Sequence, residues 1–414
     1  MERKTYNITM VLVMVKSSPP QPFGFVNRDR LVDLTCELVK ISSVTGEEKE
    51  IAEFITKHME SLGLEVDVTS LNPQRPNIVG RLRGSLGRPV LIYNSHMDTV
   101  PIGDRALWTH DPLRAEIIEG KIYGRGTQDM KGGLAAMLEM VAAIRDAQIK
   151  LEGDLVLEAV VDEERGGYKG TKWLVDRGIT GDFGVVCEGG DLKLHVCHKG
   201  DYGVEIETIG KAAHAAMPEK GINAIHKMIS IANALLKIPK KYQWETRKHD
   251  LLGHSLLNLS VIEGGIQRNM IPDRCRMVVD RRVVPGFETL DDARREIRDV
   301  IRDLEKRDRN LKVEIREIIA VEPAEISRDE PIVKAFQSAA KKVVAHKLEI
   351  SGVKGFTDAH WMVNDLGIPT VSFGTRGGNI HAVDEYTEIQ SLVQIGQIYT
   401  QVAVDLLTSS SPQP

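Results

Sequence analysis

Two histidines and three acids, His96, Asp129, Glu164, Glu188 and His381, fall just after apolar runs of strand length or just ahead of a helical one. In an open α/β sheet the carboxyl ends of the strands line one crevice, so positions remote in the chain converge there. Two imidazoles and three carboxylates suit a pair of divalent cations. Four side chains hold one ion, whereas a carboxylate shared between ions lets five hold both and leaves room for a common water. Taken singly, each residue is as well explained as a solvated strand cap or an ordinary polar histidine, and the chain has 12 histidines. The joint occurrence at one kind of place carries the metal reading.

Each position can be followed locally. Residues 88–95 form a strand-length apolar run, and His96-Met-Asp98 follows it directly. A metal-binding imidazole hands its other N–H to an acceptor, and Asp98, two residues on, is placed to take it from His96. Gly124-Arg-Gly-Thr-Gln-Asp129 is a glycine-rich loop entering a helical pattern over 134–147, with Asp129 expected at the N-cap. The buried strand over 154–161 ends in Asp162-Glu163-Glu164, three carboxylates whose mutual repulsion is costly unless cations neutralise it. Strands over 182–187 and 367–373 deliver Glu188 and the loop carrying His381. The five candidates therefore share one edge.

The elements around them imply two domains, the default for 414 residues. Glu188 and His381 stand 193 positions apart, and the intervening chain has its own rhythm. Alternation predicts a strand over 202–209, helical periodicity follows over 222–236, then strands over 255–262 and 274–282, a charged amphipathic helix over 290–304 and a strand over 311–319. That order, βαββαβ, is the split ferredoxin-like pattern. A domain over 200–321 is thus inserted into a catalytic domain made of 26–199 and 322–414. Residues 1–25 read as a flexible or edge-pairing extension: the apolar stretch 8–15 is near the lower length for a signal peptide, and no Ala-x-Ala site follows. Cytoplasmic placement is expected, and the four cysteines, none in a C-x-x-C pair, fit free thiols. A net charge of −5 argues against nucleic acid, and no apolar run approaches the roughly 18 residues of a membrane span.

The strings Ser95-His-Met-Asp-Thr-Val-Pro101, Gly124-Arg-Gly-Thr-Gln-Asp-Met-Lys-Gly-Gly133, Asp162-Glu-Glu164, Glu188 and His381 resemble those of the dinuclear zinc amidohydrolases. That family includes acetylornithine deacetylase, succinyl-diaminopimelate desuccinylase, aminoacylase and glutamate carboxypeptidase. The similarity runs in order over nearly the whole chain. It departs at Gln128, where the family has a small residue, and at Cys187-Glu188-Gly-Gly190, where many relatives carry a Glu-Pro-Thr-like turn.

The resemblance implies an α/β fold, a mixed-sheet zinc-peptidase-like domain whose ferredoxin-like insert is a lid and forms a homodimer. It implies that Asp129 bridges two ions, one held by His96 and Glu188 and the other by Glu164 and His381, with Glu163 as general acid/base. Zinc is the first expectation, with cobalt or manganese accepted by the same ligand types. His214, in Gly210-Lys-Ala-Ala-His-Ala-Ala-Met-Pro218, is similar to an imidazole that reaches the partner subunit's site and stabilises the oxyanion. Asn269 and Arg282 look like the groups that hold a substrate carboxylate. A guanidinium matches the two oxygens of a carboxylate; Arg281 is the alternative, because neighbouring strand residues face opposite ways. The implied reaction is hydrolysis of an N-acyl amino acid. A carboxypeptidase or dipeptidase acting on short peptides is the nearest alternative, and a phosphoesterase or a non-catalytic metal protein a remoter one.

Overall fold

The runs at 90–96, 154–160, 183–186 and 370–372 are buried throughout, the signature of strands covered on both faces. In the computed structural model, which describes residues 21–408, they form the parallel centre of a nine-stranded sheet. Its order is Glu65–Asn72, Arg75–Leu82, Asp154–Val160, Val90–His96, Phe183–Val186, Thr370–Ser372, Leu194–His198 and Ala324–Glu325, with Ile350–Val353 also pairing Leu194–His198. Antiparallel neighbours on either side make the sheet mixed. Register aligns His96 with Val160, Asn94 with Val186, and Val186 with Ser372, so the carboxyl ends of the four central strands are nearly level.

Alternation decides what each face packs against. Leu91 and Tyr93 enter the main core with the helices Arg28–Lys40, Gly132–Asp146, Pro331–Val343 and Ile389–Leu407, while Val90 and Ile92 meet Leu174, Ala359 and Met362 on the opposite face. Helix Gly132–Asp146 is buried from Gly132 through Ile144, and truncating one of its large side chains, such as Leu138, should cost about 2–5 kcal/mol. Its start lies hard against the strand that leads to Glu188: a Cβ on Gly133 would stand 1.9 Å from the Cys187 carbonyl oxygen. Only glycine allows that approach.

The intervening segment builds a separate sheet and a separate core. Strands Gly200–Ile209, Leu256–Gly264, Arg274–Val283 and Lys312–Val321 pair antiparallel, the second beside the third, then the first, then the fourth. Helices Ala224–Leu235 and Leu290–Arg307 fall between them in the chain, giving βαββαβ, and bury Ile231, Ile297 and Ile301 against Val204, Ile206, Met277 and Val279. A capping box between Thr289 and Asp292 starts the second helix. Part of the expected N-terminal extension, residues 1–20, lies outside the described residues. Pro22–Phe25 is a short helical turn, not an edge strand. The four cysteines are free, and no helix among the described residues is long and apolar enough to cross a membrane.

Candidate dinuclear metal centre

The level strand ends bring the five residues together. His96 closes Val90–His96, Glu164 lies in the turn after Asp154–Val160, and Glu188 follows Phe183–Val186 by two residues. His381 sits in the loop after Thr370–Ser372, and Asp129 comes from the loop ahead of helix Gly132–Asp146. Asp129 joins two groups. Its Oδ1 is 3.1 Å from His96 Nε2 and its Oδ2 is 3.2 Å from His381 Nε2, while Glu164 Oε2 is 3.1 Å from the same His381 nitrogen. Ligand atoms of His96, Asp129 and Glu188 lie within 4.8 Å of one another, as do those of Asp129, Glu164 and His381. Either triad could hold a cation, with one carboxylate common to both.

The chemistry of the donors fits such ions. Glu164 Oε1 and Glu188 Oε2 are buried without a hydrogen-bond partner, which is costly for a carboxylate unless a cation takes it. Burial, then the neighbouring Glu188, raises the Glu163 carboxyl well above the usual range; burial, then Asp129, does the same to Glu188. Asp129 moves the other way: burial opposes ionisation, but the imidazoles of His381 and His96 outweigh it. A crowd of acids that repel one another around two imidazoles is the environment positive charge relieves.

Two local expectations need correction. Asp129 is not the helix N-cap: the helix begins at Gly132, Lys131 precedes it, and Asp129 has extended backbone angles (φ −122°, ψ 88°). The loop ahead of the helix instead presents the Asp129 carboxylate to the two imidazoles. Nor does the Asp98 carboxylate receive the His96 N–H. His96 Nδ1 is 2.9 Å from the Asp98 backbone oxygen, whereas Oδ1 stands 3.7 Å away. The main-chain oxygen two residues on is simply the nearer acceptor. The carboxylate accepts instead from Thr45 Oγ1 at 2.8 Å and from the Glu163 backbone N–H at 3.3 Å, and burial pushes it up to about 7. Asp98 thereby braces the backbone of Glu163.

Glu163 is buried, with one oxygen 3.9 Å from His96 Nε2, and its side chain accepts no protein hydrogen bond among the described residues. His214 and Asn269 share a small ribbon: His214 pairs with Met270, and the Ala215 N–H donates to the Asn269 carbonyl at 2.9 Å. Both are exposed, and neither contacts the two triads within this one chain. Arg281 and Arg282 do face opposite ways. The Arg281 guanidinium is wholly buried in the core of the insert, stacked 3.8 Å over Trp244 and bonded to Glu288 and Glu296. Arg282 is partly open, held by Asp280 at 2.7 Å and Asp201 at 3.0 Å.

Glu385 went unnoticed in the sequence. Fully buried, it accepts from Arg125 Nη1 at 2.7 Å and from the backbone N–H groups of Gly126, Gln128 and Asp129 at 3.0, 3.0 and 3.2 Å. It sits four residues beyond His381, so it ties the His381 loop to the Asp129 loop. Its only sequence signal is an acid four residues after His381. Asp358, also fully buried, takes Thr171 Oγ1 on one oxygen at 2.7 Å and leaves Oδ1 without a partner; it too was missed.

Residues 92–405 match the peptidase family M20/M25/M40. The chain is 32% identical over 390 residues to N-formyl-4-amino-5-aminomethyl-2-methylpyrimidine deformylase of Bacillus subtilis (strain 168), covering 87% of this chain and 88% of that protein. It is 28% identical over 402 residues to a probable succinyl-diaminopimelate desuccinylase of Staphylococcus epidermidis, covering 90% and 96%. Its fold is that of the M20 family metallo-carboxypeptidase from Sulfolobus solfataricus, with a TM-score of 0.78 at 20% identity over 91% of this chain and 99% of that one. With a family match that spans most of the chain and a mixed α/β fold shared with its peptidases, this protein belongs to peptidase family M20/M25/M40 and is a metal-binding hydrolytic enzyme, an amidohydrolase or peptidase.

Proposed function

We propose that the enzyme hydrolyses the amide of an N-acyl amino acid, of the acetylornithine or succinyl-diaminopimelate kind, with Glu163 as general acid/base. The placement of Glu163 carries the reading. It is a buried carboxylate, without a protein hydrogen bond among the described residues, beside the residues that could hold two ions. The two relatives named for removing a formyl and a succinyl group support an acyl–amine bond as the target.

His96, Asp129 and Glu188 would hold one ion and Asp129, Glu164 and His381 the other, zinc first and cobalt or manganese as substitutes. Bound there, the ions supply a water made nucleophilic at neutral pH and a polarised carbonyl. Glu163 takes the proton that the attacking water loses and gives it to the leaving nitrogen, so that the amine departs neutral. Asp98 keeps the Glu163 backbone in place through its N–H. Arg282 and Asn269 take the substrate carboxylate, and His214 the developing oxyanion. For Arg282 this means that an incoming carboxylate displaces Asp280 or Asp201.

The test is Glu163→Gln, assayed on N-acetyl, N-formyl and N-succinyl amino acids, dipeptides and a phosphate ester with zinc or cobalt present. Turnover should fall by at least about 10²-fold, the usual worth of a positioned acid/base, while two ions per chain remain. Loss of an ion would make Glu163 a ligand, and retained turnover would end its assignment. Parental cleavage of dipeptides alone would replace the deacylase reading by a peptidase one.

A further inference from the structure

The turn that carries Glu163 and Glu164 is fastened to the inserted segment at a point the chemistry above does not use. The Tyr168 hydroxyl donates to the backbone oxygen of Ala320, in the last strand of the insert, Lys312–Val321. On its other side the Tyr168 ring meets Trp361 edge-on, centroids 5.4 Å apart, and Trp361 Nε1 donates to the Gly166 carbonyl at 3.0 Å. Tyr168 and Trp361 thus grip residues 166–168 between the catalytic sheet and the insert.

The turn is stiff enough to pass a displacement on. The Asp162 carbonyl accepts from Arg165 N at 3.1 Å and Gly167 N at 2.8 Å, and the Glu163 carbonyl accepts from Gly166 N at 2.7 Å. Both glycines have positive φ, 97° and 71°. A Cβ on Gly166 would stand 3.3 Å from Val321 Cγ2, and one on Gly167 would stand 2.1 Å from Asp358 Oδ1. Residues 162–168 are therefore a tightly bonded turn, wedged between the end of the insert and Asp358.

The two crossings of the chain into the insert lie side by side. Asp201 pairs with Val321, and a Cβ on Gly200 would stand 2.7 Å from the Val321 carbonyl. Just beyond, the Pro323 carbonyl accepts from Asn364 Nδ2 at 3.1 Å. Ala320 thus lies beside the point about which the insert would turn, where displacements are small enough for its bond to Tyr168 to persist and hold the turn in step with the insert. Tyr168 is 41% exposed, so its hydroxyl could take water instead of Ala320 at little cost to stability.

We propose that Tyr168 is a positioning residue: its bond to Ala320 sets the 162–168 turn against the insert, so that the orientation of the Glu163 carboxylate follows the position of the insert. The inference rests on Glu163 being the acid/base.

Tyr168→Phe keeps the ring contact with Trp361 and removes only the hydroxyl. In metal-replete enzyme, kcat should fall about threefold to tenfold, the worth of one neutral hydrogen bond, with KM, bound metal and urea midpoint at parental values. Trp361→Phe should lower kcat in the same way, and the double variant should lose less than the product of the two, because both act on one turn. Parental kcat in Tyr168→Phe, with Glu163→Gln inactive, overturns the proposal. So does a Tyr168→Phe enzyme whose loss appears in KM, in metal content or in stability, since that is a substrate-binding or merely structural role. An active Glu163→Gln enzyme overturns the acid/base reading itself, whatever Tyr168→Phe does.

Discussion

Replacing Glu385 with glutamine separates the support of the site from its ligands. The Glu385 carboxylate collects four donors: Arg125 Nη1 and Gly126 N on Oε2, Gln128 N and Asp129 N on Oε1, at 2.7 to 3.2 Å. Glutamine has almost the same shape but only one acceptor oxygen; its other terminus is an NH₂ that can only donate. Whichever way the amide turns, two of the four donors lose their acceptor and face another donor. Each stranded buried donor costs about 1–3 kcal/mol, so about 2–6 kcal/mol for the pair if the loop stays where it is. If the loop moves to relieve them, Asp129 leaves the place where its two oxygens meet His96 and His381. Metal affinity should then fall about tenfold to a hundredfold, the usual effect of removing a group that orients a ligand, equivalent to about 1.4–2.8 kcal/mol. The assay pairs a zinc titration of metal-free protein against a chromophoric chelator with urea unfolding of the same preparations. One of the two must deteriorate. Parental metal affinity together with parental stability would refute the cross-brace.

The two adjacent arginines should fail differently. Arg281→Ala leaves Glu288 and Glu296 buried without their cation and should cost about 3–5 kcal/mol of stability, read by urea unfolding. Arg282→Ala should raise KM about tenfold and cost less stability than Arg281→Ala, because Arg282 and its partner Asp280 are partly open and only Asp201 is left buried without a cation; equal small effects of the two would discard the carboxylate clamp. His198 and His360 predict acid sensitivity. Burial holds their imidazoles down to about 4 and about 3, with His198 adding to the effect on His360, and each Nδ1 is bonded to a backbone carbonyl, of Lys199 and Thr357 respectively. Above pH 6.5 both states are neutral; below it the unfolded chain takes up protons that the folded one refuses, so stability drops as pH falls. The slope approaches about 1.4 kcal/mol per pH unit for each histidine as the unfolded chain becomes fully protonated, so the pair costs about 3 kcal/mol between pH 6.5 and 5. His198→Asn or His360→Asn should each flatten the pH slope of the unfolding free energy by about 1.4 kcal/mol per unit, and an unchanged slope would show that the histidine is not held neutral.

Much of the fold was legible because period and burial coincide. The apolar runs 88–95, 154–161 and 182–187 have the length of strands, and the strands they form end level at His96, Val160 and Val186 as the crevice argument requires. The insert was legible for the opposite reason: its sheet is covered on one face only, so Gly200–Ile209 and Arg274–Val283 alternate along most of their length. The stretch after 350 was harder. Gly352 opens the glycine-containing run 352–358, which fits a tight turn, yet it lies in the strand Ile350–Val353, where it lets Leu252 and Cys197 approach to 2.5 and 2.7 Å of where a Cβ would be. A glycine demanded by a neighbour's side chain cannot be told in sequence from one demanded by a turn.

The site divides along the same line. His96, Asp129, Glu164, Glu188 and His381 stood out as candidate ligands because they leave the ends of regular elements, and those ends can be read from periodicity. What holds them in place could not be found that way, because its partners are main-chain N–H groups, which every residue but proline carries. Glu385 grips three such groups in the Asp129 loop, Asp98 grips that of Glu163, and Asp162 grips that of Lys169 while pairing with Arg75. Each is an acid, and each spends its charge on a neighbouring ligand-bearing loop. An acid suited to bind a cation and an acid that organises backbone have the same letter in the sequence; in the structure they differ in whether a buried oxygen is left over. Glu164 and Glu188 each keep an unpartnered buried oxygen, whereas both oxygens of Glu385 and of Asp98 are taken. By that criterion Asp358, with Oδ1 unpartnered but Oδ2 bonded to Thr171, stands between the two classes, and it lies under the turn that Tyr168 fastens to the insert.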